Sequence, residues 1–501
     1  MAFGCYHFEA KHLQDFVFRT GKLREATGAS ELINHICGLE DGKLVGLAGE
    51  IARKAVLSCD PERAVGGVLT ICTDDAGLAA LLNFRALFRL ALAKRAPGLS
   101  YADGLCQGAE DKRTAMDGAH GDMVRSGPLA HPDAPAASPL VRPAARSGLA
   151  PHVRRGWTDE TGRCVITGEF ADLETLAKRQ FLAQGNDALA CKFSGTEPGE
   201  YIWPVVFAGD KDENADSGAV FPFHGEDRSI ALVHIDGNGI GQTFVEAAAQ
   251  GKDTKALSEQ LAGATITAAN AAMRPVLEQA DASRVVPARP VLLGGDDLTL
   301  IIRADLAFGF VRAYLTAFEH ETAQTALGRK TAKAGLVFMG ARQPFAQAYE
   351  LCEDLAHEAK NMEESRLCFW RLTDTLIPRS VDELCDQTAG HGGGVHQWRG
   401  AFSLAEFRKL ECLANVLKME AVGRGPLRQV PELLKSDPNR AKALYRRALD
   451  VLKKRDICAH EALVNAMSEF GIAEREIVNE AGYCPLLDAH HLFQIRKAGT
   501  G

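Results

Sequence analysis

The sequence predicts an α+β protein in which two similar strand-and-helix units precede a helical C-terminal region. Three observations carry this. Short apolar runs that end in an acid or lead into a Gly-Gly pair occur near the N-terminus and again after residue 229. A stretch dominated by Pro, Ala, Gly and Ser separates them, as in Pro128-Leu129-Ala130-His131-Pro132. Beyond Gly392-Gly393-Gly394 the apolar residues take helical spacing, over 404–416, 439–455 and 460–470.

The chain of 501 residues has room for two to four domains. Its 46% hydrophobic and 24% charged residues place it among ordinary globular proteins. The net charge of -8 gives no global nucleic-acid signature, so any such contact needs a local basic patch. The 13 cysteines are odd in number and scattered, and the start Met1-Ala2-Phe3-Gly4-Cys5 leads to the expectation of no signal peptide. Reduced thiols and a cytoplasmic location are therefore expected. No apolar run approaches bilayer-spanning length, so no membrane partner is expected.

In the N-terminal unit, residues 3–8 start apolar, and Leu13, Phe16 and Phe18 continue at helical spacing. Gly67-Val68-Leu69-Thr70-Ile71-Cys72 predicts a strand, and residues 78–93 a helix. Residues 116–160 predict a linker or insertion and 161–225 a small irregular region.

The chemistry concentrates after residue 229. Ile230-Ala231-Leu232-Val233-His234-Ile235-Asp236 predicts a buried strand ending in an acid. Gly237-Asn238-Gly239-Ile240-Gly241-Gln242 follows, then a helix from Thr243. A glycine-rich turn between strand and helix lets backbone N–H groups approach a phosphate. A carboxylate at the strand end can hold a hard divalent cation beside it. A dinucleotide fingerprint is disfavoured, because Gln242 takes the place of the third glycine and the acid precedes the glycines.

Next, two apolar strands flank Gly294-Gly295-Asp296-Asp297. Glycine supplies the positive φ of a tight hairpin. Alone, the pair of acids also suits a solvated hairpin tip. With Asp236 it suits a shared pair of metal ions that activates a 3′-hydroxyl and neutralises a triphosphate. Neighbouring strand residues point to opposite faces, so Asp296 and Asp297 both ligate only if the turn re-aims one of them. A third strand covers 333–339, and the helix after Pro344 ends near Ala359-Lys360-Asn361. Lys360 and Arg366 are expected phosphate contacts, with a solvated helix end as the bland alternative.

These residues resemble the palm domain of the large subunit of type III CRISPR effector complexes, itself related to diguanylate and adenylate cyclase domains. Thr20-Gly21-Lys22-Leu23-Arg24-Glu25 and Gly28-Ala29-Ser30-Glu31-Leu32 resemble that family's first-palm signature. The resemblance implies two ferredoxin-like palms packed together. Residues 1–115 would be a degenerate first palm and 116–225 a linker with a degenerate ribbon-like region. Residues 226–375 would be the catalytic second palm and 376–501 a helical C-terminal domain. It implies ATP as substrate and two Mg²⁺ or Mn²⁺ ions on Asp236, Asp296 and Asp297. Gly237, Asn238, Gly239, Gly294, Gly295, Lys360, Arg366 and Ser30 would contact nucleotide. The implied product is a cyclic oligoadenylate second messenger in antiviral defence. Guide RNA, other CRISPR complex subunits or a second copy of the chain are the implied partners.

An internal comparison supports duplication. Glu9 precedes Gly66 by 57 residues and Asp236 precedes Gly294 by 58. Aligned on the Gly-Gly pairs, the first copy has Val68 and Leu69 where the second has its acids, so only the second is expected to hold metal. The family's HD nuclease is not expected here, because the palm signature begins almost at residue 1. Its zinc ribbon is expected to be degenerate. Cys164 and Cys191 alone do not make a four-ligand site, so no zinc is expected. His490-His491 is expected on a helix surface. Two alternatives stay open: an RNA- or partner-binding palm scaffold in which nucleotide is only regulatory, and a diguanylate-cyclase-like enzyme. Against the last, Leu298 stands where those enzymes carry an aromatic residue.

Overall fold

Alternating apolar residues build the first sheet. Its strands are β1 (Phe3–Lys11), β2 (Asp60–Val65), β3 (Val68–Asp74) and β4 (Ser100–Ala109), in the spatial order β2-β3-β1-β4. The computed structural model describes residues 2–40, 43–65, 67–128, 143–144, 147–154, 170–183, 185, 187–207, 219–224, 228–372, 377–378, 380–389, 395–422 and 424–498. In β1, Tyr6 and Phe8 point to one face, and Cys5, His7 and Glu9 to the other. The Tyr6 face carries helices α1 (Leu13–Phe18), α2 (Leu23–Ile36) and α3 (Leu78–Arg95). Phe84 and Phe88 meet Tyr6 edge-on. Helix α4 (Lys112–Ser126) covers the other face. It runs across residue 115, where the sequence placed the end of the first unit, and packs on β1 and β4. Helices α5 (Leu173–Ala183) and α6 (Ala188–Ser194) pack against α2.

The second sheet repeats this plan. Strand β5 (Ser229–Gly237) is followed by α7 (Ile240–Ala249) and α8 (Thr254–Leu277). The hairpin β6 (Ala288–Gly294) and β7 (Asp297–Arg303), then α9 (Ala307–Ala323) and β8 (Ala332–Gly340), complete the unit. The order β6-β7-β5-β8 matches β2-β3-β1-β4 strand for strand. Both are the ferredoxin-like β-α-β-β-α-β arrangement. Helix α10 (Phe345–Glu358) covers the second sheet as α4 covers the first. Strands β9 (Arg366–Arg371) and β10 (Ala401–Ser403) extend the second sheet.

The ladders correct the internal alignment by one residue. Val65 closes the first hairpin opposite Val68, as Gly294 closes the second opposite Asp297. Val68 therefore corresponds to Asp297, and Gly67 to Asp296. Matching the Gly-Gly pairs misplaced them, because the glycines sit one step later in the first turn. The first copy still lacks both acids. It keeps another pair: His7 Nδ1 meets Thr70 Oγ1 at 2.8 Å, and His234 Nδ1 meets Thr299 Oγ1 at 3.2 Å.

The two palms share one apolar core. Leu232, Val291, Ile301 and Val337 of the second sheet join Phe8, Leu32 and Phe88 of the first unit. The first-unit helix α2 reaches β6, where buried Arg289 pairs with Glu31 of α2 and with Asp187. On the opposite face, the core of the second sheet continues through α8 and α9 into the tail helices α11 (Leu404–Val416), α12 (Arg424–Ser436), α13 (Pro438–Arg455), α14 (Ile457–Ser468) and α15 (Leu486–Ala498). Phe308 stacks near Phe407 at 4.7 Å between centroids.

Two expectations change. His490 and His491 are half-buried, and His491 meets Trp370 edge-on, because α15 lies against β9 rather than presenting the pair to solvent. The segment Asp75–Arg95 is, by length and composition, apolar enough to cross a bilayer. Its Leu81, Phe84, Phe88 and Leu92 are core residues, while Leu82 and Leu90 on the outer side are exposed. Cys164 and the glycines at 392–394 lie outside the described residues.

The duplicated packing depends on two glycines. A Cβ at Gly104 would lie 2.0 Å from the Ala119 carbonyl, and one at Gly335 would lie 2.0 Å from the Cys352 carbonyl. Each lets a helix sit directly on its sheet. Gly104→Ala and Gly335→Ala should each destabilise the protein by about 1–3 kcal/mol in denaturant unfolding. Gly309→Ala, which meets nothing within 4 Å on helix α9, should leave stability unchanged or slightly raised. Equal effects at all three positions would refute the packing argument.

Candidate metal and nucleotide site

The three acids converge. Asp236 lies near the end of β5 and Asp297 begins β7, while Asp296 sits in the turn between β6 and β7. The ladder pairs Ile235 with Leu298, so one step further Asp236 faces Asp297. Gly295 takes φ +63°, which turns Asp296 out of the strand alternation. One oxygen from each of Asp236, Asp296 and Asp297 lies within 4.8 Å of the others. The turn thus resolves the conflict posed by two adjacent acids.

Neighbouring groups hold this turn. Thr265 Oγ1 on α8 donates to the Gly295 carbonyl at 2.8 Å. A Cβ at Gly237 would lie 3.0 Å from both Cβ and Oδ2 of Asp296, so glycine leaves room for that carboxylate. Lys333, opposite Asp236 on β8, brings Nζ to 2.7 Å from Asp236 Oδ2. Arg366 is the next residue in the same row, on β9. The row Asp236, Lys333, Arg366 lies on one face of the sheet.

Crowding shows in the electrostatics. Burial, then the charge of Asp236, pushes Asp296 up to about 7. Burial, then the bond and charge of Asp236, holds Asp297 well above the usual carboxylate range. Burial works to raise Asp236 as well, but the bonds from Asp297 and Lys333 outweigh it and hold its carboxyl low. A like-charge pair 4 Å apart costs on the order of 4 kcal/mol near a protein surface. Three half-buried carboxylates with oxygen-only donors suit a hard divalent cation.

The remaining predicted contacts separate into two groups. Gly237, Gly294 and Gly295 border the acids, and Gly239 takes φ +68° at the start of α7. Asn238 is buried, and its Nδ2 donates to Thr331 Oγ1 at 3.0 Å and to the Asn361 carbonyl at 2.8 Å. Its amide thus ties the glycine turn to the Lys360–Asn361 segment. Lys360 is exposed on that segment. Arg366 is engaged by Glu364 at 2.7 Å. Ser30 is not brought to the acids. It is buried in α2, and its hydroxyl donates to the Val291 carbonyl, where the two palms meet.

Four residues escaped the sequence. Lys333 and Thr265 are described above. Lys330 donates to Thr243 Oγ1 at 2.8 Å, beside the glycine turn. Arg63, from the first palm, acts on Asp296 in the sense opposite to burial. Lys333 left one trace, as a lone charge within an apolar strand. The strand register that gives it a partner is not readable from sequence.

Residues 229–368 match the family model described as Cas10/Cmr2, second palm domain. The fold matches Csm1 of T. onnurineus with a TM-score of 0.54 and 15% identity, over 99% of this chain and 69% of that one. It matches a Csm1-Csm4 cassette in complex with one ATP at 0.53 and 14%, over 99% and 70%. A Csm1-Csm4 cassette in complex with cA3 gives 0.52 and 14%, over 99% and 69%. No curated protein matches the chain. The chain carries a Cas10-like palm, in the two-palm fold that the sequence predicted.

The raised carboxyls set a pH dependence. A group whose folded value lies above its unfolded value contributes stability at low pH and loses it as pH rises. For Asp296 that loss runs from near 4 through about 7. Asp236 has the opposite sign and matters only in acid. A cation must displace the protons, so its stabilising effect grows with pH. The melting-temperature rise on adding Mn²⁺ should be clearly larger at about pH 8 than at about pH 6. An equal rise at both, or a larger one at the lower pH, would contradict the assignment.

Proposed function

We propose that the second palm is a metal-dependent nucleotidyltransferase that joins ATP units and closes them into a cyclic oligoadenylate. The convergence of Asp236, Asp296 and Asp297 on one point carries this reading. Two further observations support it: the match of residues 229–368 to the Cas10/Cmr2 second palm, and the fold shared with Csm1-Csm4 cassettes that hold ATP or cA3.

In this reading a bound Mg²⁺ or Mn²⁺ supplies charge that neutralises the triphosphate and lowers the pKa of an attacking hydroxyl. Asp236 and Asp296 would hold the cation. Asp297 would ligate as well or accept the proton of the 3′-hydroxyl. The backbone of the glycine turn offers N–H groups to a phosphate. Lys330 and Lys360, on either side of the Asn238 tie, offer cations to the β- and γ-phosphates. Attack of the 3′-oxygen on the α-phosphorus forms the new ester and expels pyrophosphate. The first palm, with Gly67 and Val68 in place of the acids, positions nucleotide without performing this step. Guide RNA and partner subunits of a CRISPR-type complex belong to the same proposal as activators.

Mass spectrometry of the products from mixed NTPs and Mn²⁺ tests this. Wild-type protein should release pyrophosphate and accumulate a cyclic adenylate. Asp296→Ala/Asp297→Ala should lower the rate at least 100-fold, on the order of the loss of an electrostatic transition-state contact. Absence of pyrophosphate with wild-type protein, even with candidate RNA and partner subunits, would overturn the proposal. So would undiminished product from the double variant.

A further inference from the structure

Lys333 is placed where an added cation would be expected. It faces Asp236 directly across the β5–β8 ladder, and its ammonium lies 2.7 Å from Asp236 Oδ2. Its side chain is 14% exposed, so this is no loose surface pair. The flanking Ala332 and Ala334 are buried, which fixes the strand and with it the direction of Lys333. Arg366 cannot easily take over, because Glu364 engages its guanidinium.

Two-metal sites place two ions about 3.5–4 Å apart and need an acid that spans both. Asp236 is the spanning candidate here. It stands between Asp297 on one side and Lys333 on the other. One of its oxygens is already committed to a resident positive charge. The charge count points the same way. Three carboxylates are balanced by one lysine and one divalent ion. A second divalent ion would leave the free protein with excess positive charge at the site, until triphosphate arrives.

We propose that Lys333 acts as a built-in cation beside Asp236, taking the place of one of the two divalent ions, so that the nucleotide-free triad binds a single ion. This rests on the metal-site reading proposed above and replaces, for the free protein, the two ions that the family resemblance implies. Lys333 is then a positioning residue. It holds Asp236 ionised and aimed, and it is released toward phosphate only when substrate brings its own charge.

Counting bound ions tests this without any turnover. Isothermal titration or equilibrium dialysis of nucleotide-free protein with Mn²⁺ should give one tight ion per wild-type chain. Lys333→Gln should give two, and Lys333→Arg, which keeps the charge, should stay at one. Two ions on wild-type protein would overturn the inference and leave the metal site standing. One ion on folded Lys333→Gln would also overturn it. No Mn²⁺ on any of the three chains would overturn both readings together. The wild-type count needs no variant, so the inference remains open to refutation even if Lys333→Gln fails to fold.

Discussion

Bringing three carboxylates within 4.8 Å of one another in a half-buried place is the constraint on which the rest of this palm is built. Such a cluster repels itself and resists burial. Left alone, the hairpin would splay or the acids would take up protons. The surrounding residues oppose the first outcome. Thr265 holds the turn, Gly237 leaves space for Asp296, and Lys333 neutralises Asp236 from the neighbouring strand. The second outcome is only partly opposed, since Asp296 and Asp297 remain poised to hold protons. A site in this condition has a standing affinity for positive charge, which is what a triphosphate chemistry requires.

How far the sequence revealed this depends on the range of each interaction. The acids themselves were legible, because each lies on a short local signal: an apolar strand with a terminal acid, or a Gly-Gly turn between two strands. The ferredoxin-like order was legible through the repeated spacing and the resemblance. Contacts set by strand register were not. Lys333 meets Asp236 only because β8 lies antiparallel to β5 at one particular offset, and 97 residues separate them. Register also explains the one-residue error in aligning the two hairpins, since glycines mark a turn without marking its position in it. Ser30 shows the converse. Its place in a family-like signature suggested a nucleotide contact, but its helix lies against β6 and its hydroxyl satisfies a strand carbonyl.

The duplication clarifies which features serve folding and which serve chemistry. Both copies keep the strand order, the His–Thr bond between neighbouring strands and the glycine that seats a helix on the sheet. These recur where no acid pair exists, so they belong to the fold. The two hairpin acids and Lys333, whose ladder partner is Asp236, have no counterpart in the first copy, where Gly67, Val68 and Ala102 stand. That division supports a role for them in the proposed chemistry.

The first palm is more than a vestige. Its helix α2 presses on β6, the strand that leads into the hairpin, through Ser30 and through the buried pair of Glu31 and Arg289. Removing one partner of such a buried pair leaves an unpaired charge and is strongly destabilising. The hairpin is therefore held from three sides: by α8 through Thr265, by β5 through the ladder, and by the first palm through β6. Arg63 adds a charge from the first palm that acts on Asp296 itself. A change in how the two palms meet would move β6, and with it the turn that carries Asp296 and leads into Asp297. The interface between the palms is thus mechanically continuous with the hairpin that carries the acids.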